Sequence, residues 1–320
     1  MRRFLALART AALESLAEPL SAVVFLAALM MVHLAPMFHY HRFGEAARLP
    51  RECGLSALLV FGLVFATSAA VRTIGRELSS GTASAALALD VPRSLFHCAK
   101  TAGVFAAFIL FAGAAACATA LAARTSALGA EIAATGEDVR MWGPGLALGV
   151  GLTLAAFVGA AAANRFLRWR FSASACLLTA LAQPVALVLA VVAGGFKGTA
   201  IVECVRLFPA FAVLAGACLV FIAFAAALAT RFASAHVTAA ISFAVVVSFL
   251  AVHISGVCPP AGWAIRAVLP VLSDFWMSER LAGGGAIPVA ETLRLLSAAA
   301  LLVVLWLGVG SALLSRRELS

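Results

Sequence analysis

Charge is what this sequence has least of. Only 12% of its 320 residues are Asp, Glu, Lys or Arg, while 64% are hydrophobic. A soluble globular protein carries about 25% charged residues, so a water-exposed surface cannot be covered from this supply. The soluble class is therefore excluded. No Gly-Lys dipeptide occurs anywhere, which excludes a GxxxxGK-[Ser/Thr] phosphate-binding loop. No CxxC pair occurs either. The seven cysteines (Cys53, Cys98, Cys117, Cys176, Cys204, Cys218 and Cys258) are scattered and read as small apolar residues. Cys53, Cys204 and Cys258 fall near one membrane face, where a single disulfide is an open alternative.

What is present is a series of long uncharged windows: 19–41, 53–71, 101–123, 141–164, 171–196, 207–230, 232–265 and 295–315. A bilayer core of about 30 Å needs about 20 apolar residues in a helix, and each window meets that length. The runs are continuous rather than alternating, which disfavours a barrel. The expectation is an all-α polytopic membrane bundle of about eight transmembrane helices, with six as the alternative, forming one domain over 1–320. The window 232–265 holds one span plus an interfacial or re-entrant piece. No acidic residue lies inside any window. Ion-coupled carriers generally use an intramembrane carboxylate, so a secondary transporter is disfavoured, although backbone carbonyl sites would escape this argument.

The first window starts too late for a cleavable signal peptide. Residues 1–18 place Arg2, Arg3 and Arg9 among Phe4, Leu5, Leu7, Leu13 and Leu16, ahead of Pro19. That pattern predicts an amphipathic interfacial helix. With eight spans and the N-terminus inside, the inner segments hold 13 Lys/Arg against 5 acids and the outer ones 10 against 9. The bias sits in the short connections 164–170 and 315–319, where the positive-inside rule works best. Both termini are therefore expected in the cytoplasm, with the protein in the inner (plasma) membrane. The net charge of +9 reads as topology, and no nucleic-acid partner is expected.

Three other features bear on function. His33, His39 and His41 stand near Met30, Met31 and Met37, a combination that suits a soft metal; the competing reading is gap-filling Met with His at an interface. His236 and His253 are isolated and offer no convincing catalytic pair. Two outer connections carry structure of their own. Residues 124–144 read as a short amphipathic helix closed by Gly136 and Pro144. Residues 255–293, with Trp263, Phe275 and Trp276, read as an outer interfacial or re-entrant helix anchored by aromatics.

The most informative stretch is 76–100, RELSSGTASAALALDVPRSLFHCAK. Arg72, Arg76 and Glu77 mark where the second span leaves the apolar core. Gly81 allows a turn and Thr82 can cap a following helix. Residues 83–89 are strong helix formers, Pro92 blocks continuation, and Arg93 and Lys100 return basic charge to the surface. A short helix held at both ends by the membrane can transmit a push.

These residues resemble the ABC-2-type transporter permeases, in which the stretch reads E-x-x-x-G-T, a helical run, then P-V-S-R and a Lys opening the next span. Glu77, Gly81, Thr82, Pro92, Arg93 and Lys100 match in order; Asp90-Val91-Pro92-Arg93 replaces the usual P-V-S-R and displaces the proline. The segment 269–281, Ile287-Pro288 and Arg316–Leu319 are similar to the C-terminal region of the branch linked to multicopper-enzyme maturation. The resemblance implies a transmembrane subunit of an ATP-driven exporter that binds no cofactor and performs no catalysis itself. Its partners would be a separate ABC ATPase subunit holding the ATP, a second permease copy or paralogue, and the lipid bilayer. It further implies that 76–98 is a cytoplasmic coupling segment, carried by Arg76, Glu77, Gly81, Thr82, Pro92, Arg93 and Lys100, and that 1–18 is the elbow helix. The alternative is an ATP-independent carrier or channel. The substrate is not legible.

Overall fold

The computed structural model describes residues 1–38, 46–81, 91–134, 143–192, 199–282 and 285–317. Among them there is no strand, and eight helices are long and apolar enough to cross a membrane. The polytopic helical bundle expected from the uncharged windows is what the chain forms.

Helix α1 (Arg2–Ala17) ends at Glu18, whose backbone is extended (φ −69°, ψ 135°), and Pro19 opens α2 (Pro19–Leu34). Proline suits this first helical position because the N–H it lacks would have had no intrahelical acceptor. The second span, α3 (Arg48–Ala70), continues as a π-helical turn over Val71–Arg76 and a last helical piece, Glu77–Ser79. Then come α4 (Arg93–Ala134), α5 (Gly143–Leu167), α6 (Phe171–Val192), α7 (Thr199–Ala229) and α8 (Ser234–Val257). Three short helices follow, α9 (Pro259–Val268), α10 (Leu272–Phe275) and α11 (Ser278–Leu281), before the last span, α12 (Val289–Ser315).

Helices α3, α4 and α7 pack on one another and form the centre. The most apolar stretch of α7 is 72% buried, against 17% for those of α5 and α12. Outer helices therefore present apolar rows such as Leu301, Val304 and Leu305 outward, the inverse of a soluble surface and the pattern a lipid solvent permits. The core is pinned by a phenylalanine triad from three helices. Phe25 lies 6.0 Å from Phe65 and 5.0 Å from Phe111 in edge geometry, and Phe65 stacks on Phe111 at 6.0 Å. Aromatic pairs of this kind contribute about 0.5–1.5 kcal/mol each beyond their area.

Several local expectations need correction. Residues 124–134 are no separate amphipathic helix; they prolong α4 without a break, because no proline falls among them to interrupt it. The stretch after α8 is divided into three helices, not one. Trp263 on α9 is exposed, as an anchor should be, but Phe275 is buried and Trp276 packs against the core. Their contacts are with the bundle, since the turns at Leu269–Val271 swing α10 inward. Cys53 and Cys258 are free thiols, so they form no disulfide with each other; the Cys204 side chain lies outside those described.

Candidate functional site

The second and third spans come together at the face where α1 meets them, and the residues singled out by sequence gather there. The π-helical turn Val71–Arg76 widens the end of the second span; such turns are rare and often mark functional positions. Ser80 N–H then closes on the Arg76 carbonyl at 2.9 Å. Gly81 takes φ +74°, the left-handed conformation that ends helices and that a side chain disfavours. Thr82 to Asp90, the body of the expected coupling helix, lie outside the described residues. The chain is described again from Val91. Pro92 sits just before α4, and its carbonyl accepts the Phe96 N–H at 3.0 Å.

The two ends of this segment are clasped by one cation. Lys100 Nζ donates to Glu77 Oε1 at 2.6 Å and to Glu14 Oε2 at 3.3 Å, with the lysine side chain only 3% exposed. An ammonium so withdrawn from water needs paired carboxylates to be tolerated. Burial raises the Glu77 carboxyl above its ordinary value, against the pull of the Lys100 hydrogen bond and charge, with Glu14 adding a smaller push upward. Glu14 belongs to α1, so the clasp joins three elements: the end of the second span, the start of the third, and the N-terminal helix. A neighbouring ion pair, Arg72 to Glu18 at 2.5 Å, repeats the tie between α1 and the second span.

Helix α1 reaches this position because α4 offers it a groove. A Cβ at Gly103, one turn beyond Lys100, would overlap the Ala8 carbonyl oxygen and crowd Ala11. The glycine lets the two backbones meet. Next to the clasp is a cleft of about 600 Å³ lined by Glu14, Glu18, Glu77, Arg72, Arg76 and Arg170 among others, a mixed-charge surface.

Arg93 does something the sequence did not announce. Its guanidinium donates to the carbonyls of Ser315 at 2.9 Å and Arg317 at 2.7 Å, completing the C-terminal end of α12, where carbonyls lack intrahelical donors and cations are favoured. Arg317 in turn donates to the Thr230 carbonyl at 2.5 Å. The second end of the segment is thus fixed to α12 and, through Arg317, to the end of α7.

Of the expected site residues, Glu77 and Lys100 touch, Arg76 precedes Glu77 in the chain and Gly81 ends the same helical stretch, and Pro92 and Arg93 sit two turns from Lys100 on the α12 side. Glu14 and Glu18 were missed. The available signal was their placement as the two acids of an otherwise basic N-terminal segment, 1–18. Also missed was a buried polar chain inside the membrane-spanning helices: His33 Nε2 to Gln183 Oε1 at 2.8 Å, and Gln183 Nε2 to Thr153 Oγ1 at 2.9 Å. His33 is therefore not an interfacial residue; it is buried between helices, next to Gly149, which leaves room for its ring. His39 and His41 lie outside the described residues. Among the described residues no group of three His, Cys, Asp or Glu is placed to hold a metal.

No family model, curated protein or solved structure matches the chain.

Proposed function

We propose that this chain is the transmembrane subunit of an ATP-driven transporter of the ABC-2 type, and that residues 76–100 receive the stroke of a separate ATPase subunit. The observation that carries this reading is the clasp of Lys100 by Glu77 and Glu14. A loop that takes a push must have both ends fixed to the helices it is to move. Here one buried cation joins both ends to each other and to α1, and Arg93 ties the second end to α12. Movement delivered at 82–90 would then pass to α3, α4, α1 and α12 together. The absence of a GxxxxGK sequence supports placing ATP binding on the partner. In this reading the face with α1 is cytoplasmic, the membrane is the inner (plasma) membrane, and a second permease copy or paralogue completes the pore. Export is the direction implied by the resemblance.

The second reading is an ATP-independent carrier or channel. The polar chain His33–Gln183–Thr153 inside the spans is the feature that favours it, since polar groups at that depth often mark pathways. The two readings separate in one experiment. The full chain is extracted from its native membrane in mild detergent, its companions are identified, and transport is measured in vesicles. An associated ATPase whose hydrolysis drives transport, lost on Glu77→Arg with insertion intact, supports the proposal. Gradient-driven transport by the chain alone would sink it.

A further inference from the structure

A second cleft lies on the same face, about 810 Å³ in volume, between the π-helical turn of the second span, the end of α7 and the start of α8. Its volume falls within the range of about 300–1,000 Å³ typical of ligand clefts. Its character differs from that of the cleft beside the clasp. Where the first mixes three glutamates with arginines, the second is lined by Arg72, Arg76, Arg231 and Arg317 and, among the described residues, by no acid. Arg72 is matched by Glu18 from outside the cleft, while Arg317, bonded to a neutral carbonyl, keeps its charge beside the exposed Arg231, so the cleft keeps a positive excess. Helix α8 starts at its wall with no side-chain cap on its first N–H groups, which adds the positive end of a 24-residue helix.

The height of the cleft identifies the anion. Its walls are the last turn of one span (Arg76), the end of another (Ala229) and the first turn of a third (Ser234), which is the level of the lipid headgroups. Phe232, in the turn between α7 and α8, is 55% exposed at its rim, an apolar ring suited to the acyl boundary. We propose that this cleft binds the phosphate of an anionic phospholipid headgroup in the leaflet on the α1 side. Basic pockets between spanning helices are suited to such headgroups. The inference needs only that the chain spans a membrane, and stands apart from the identity of any ATPase. It adds a consequence: a headgroup on Arg76 would lie one residue from Glu77, so lipid composition would bear on the clasp.

The test uses the purified full chain in a neutral detergent, titrated with phosphatidylglycerol, with phosphatidylcholine, or with inorganic phosphate alone. Retained lipid is counted by native mass spectrometry, and thermal stability is followed in parallel. Phosphatidylglycerol is expected to be retained in preference to phosphatidylcholine, more weakly at high salt. Arg231 is exposed on a turn, so its replacement leaves packing intact. Arg231→Gln is expected to weaken phosphatidylglycerol binding about fivefold, the equivalent of ~1 kcal/mol for one basic side chain at an anionic surface, and Arg231→Glu more. Arg165→Gln, an exposed arginine outside the cleft, should leave binding unchanged. Wild-type retention by both Arg231 variants would overturn the site. Equal stabilisation by inorganic phosphate without lipid would overturn the headgroup as its ligand.

Discussion

Lys100 Nζ lies 2.6 Å from Glu77 Oε1 across 23 residues of sequence, and the lysine is almost wholly buried. The pair closes the segment between the second and third spans into a loop with a fixed base. Glu14 approaches the same ammonium at 3.3 Å, so the base is a triad of two acids around one cation.

Charge exchange tests that geometry. Swapping Glu77→Lys with Lys100→Glu keeps the direct pair but sets Glu14 against a like charge. The swapped protein is therefore expected to recover only part of the stability lost in Glu77→Lys. Adding Glu14→Gln should bring further recovery. Breaking a buried pair from one side costs about 3–5 kcal/mol, and Glu77→Leu should approach the lower end because Glu14 stays with Lys100. Denaturation in detergent reads all four variants, and full recovery by the simple swap would remove Glu14 from the triad.

The pH response follows from the raised carboxyl of Glu77, whose ordinary value is 4.5. Between that value and the higher native one, the folded protein binds a proton that the unfolded chain does not. Stability linked to this group therefore rises as pH falls through the window, while the ionic form of the clasp is lost. The two effects oppose each other in a measurable way. On mild acidification, the proposed partner-driven activity should decline before stability does, and Glu77→Gln should flatten that limb of both profiles. Activity and melting curves run on one pH series check this; identical profiles in wild type and Glu77→Gln would remove Glu77 as the titrating group.

Arg93 closes the end of α12 by donating to the Ser315 and Arg317 carbonyls. Hydrogen bonds from a charged donor contribute about 1.5–3 kcal/mol when buried, and less where water competes, as it does at this half-exposed site. Arg93→Gln is expected to fray the last turn of α12. Amide exchange over 312–317 should quicken several-fold, with the centre of α12 unchanged. Both bonds leave a single nitrogen, Nη1, so Arg93→Lys, whose ammonium also carries several N–H groups, should restore part of the protection.

The spans were legible because uncharged length is the signal a bilayer imposes, and each of the eight windows holds the core of one spanning helix. Glu77 and Lys100 were legible as the flanks of a polar loop, but their contact was not: pairing across a loop depends on how α3 and α4 pack. Glu14 was hidden for a related reason. On its helix it looks like one solvated acid, and only the seating of α1 on α4 turns it toward Lys100. His33, Gln183 and Thr153 lie in three separate windows, and no periodicity within one window could link them. The joining of 124–134 to α4 was misread because polar residues there marked the end of the apolar run, not the end of the helix.

Gly103 gives the most direct test of whether α1 is part of the machinery or only beside it. The glycine permits backbone contact with α1 at Ala8, and a larger residue must push the two helices apart. Glycine in a helix interior otherwise costs about 0.5–1 kcal/mol relative to alanine. Gly113, on the same helix, has nothing within 4 Å of the place a Cβ would take, so Gly113→Ala should gain slightly. Gly103→Val should lose stability despite the better helix propensity of its side chain. It should also lengthen the Glu14–Lys100 approach while leaving Glu77–Lys100 closed. Amide exchange along α1, compared between Gly103→Val and wild type, reads its release from α4 directly. If Gly103→Val leaves α1 exchange and the activity unchanged, α1 is not held by this groove and the triad reduces to a pair.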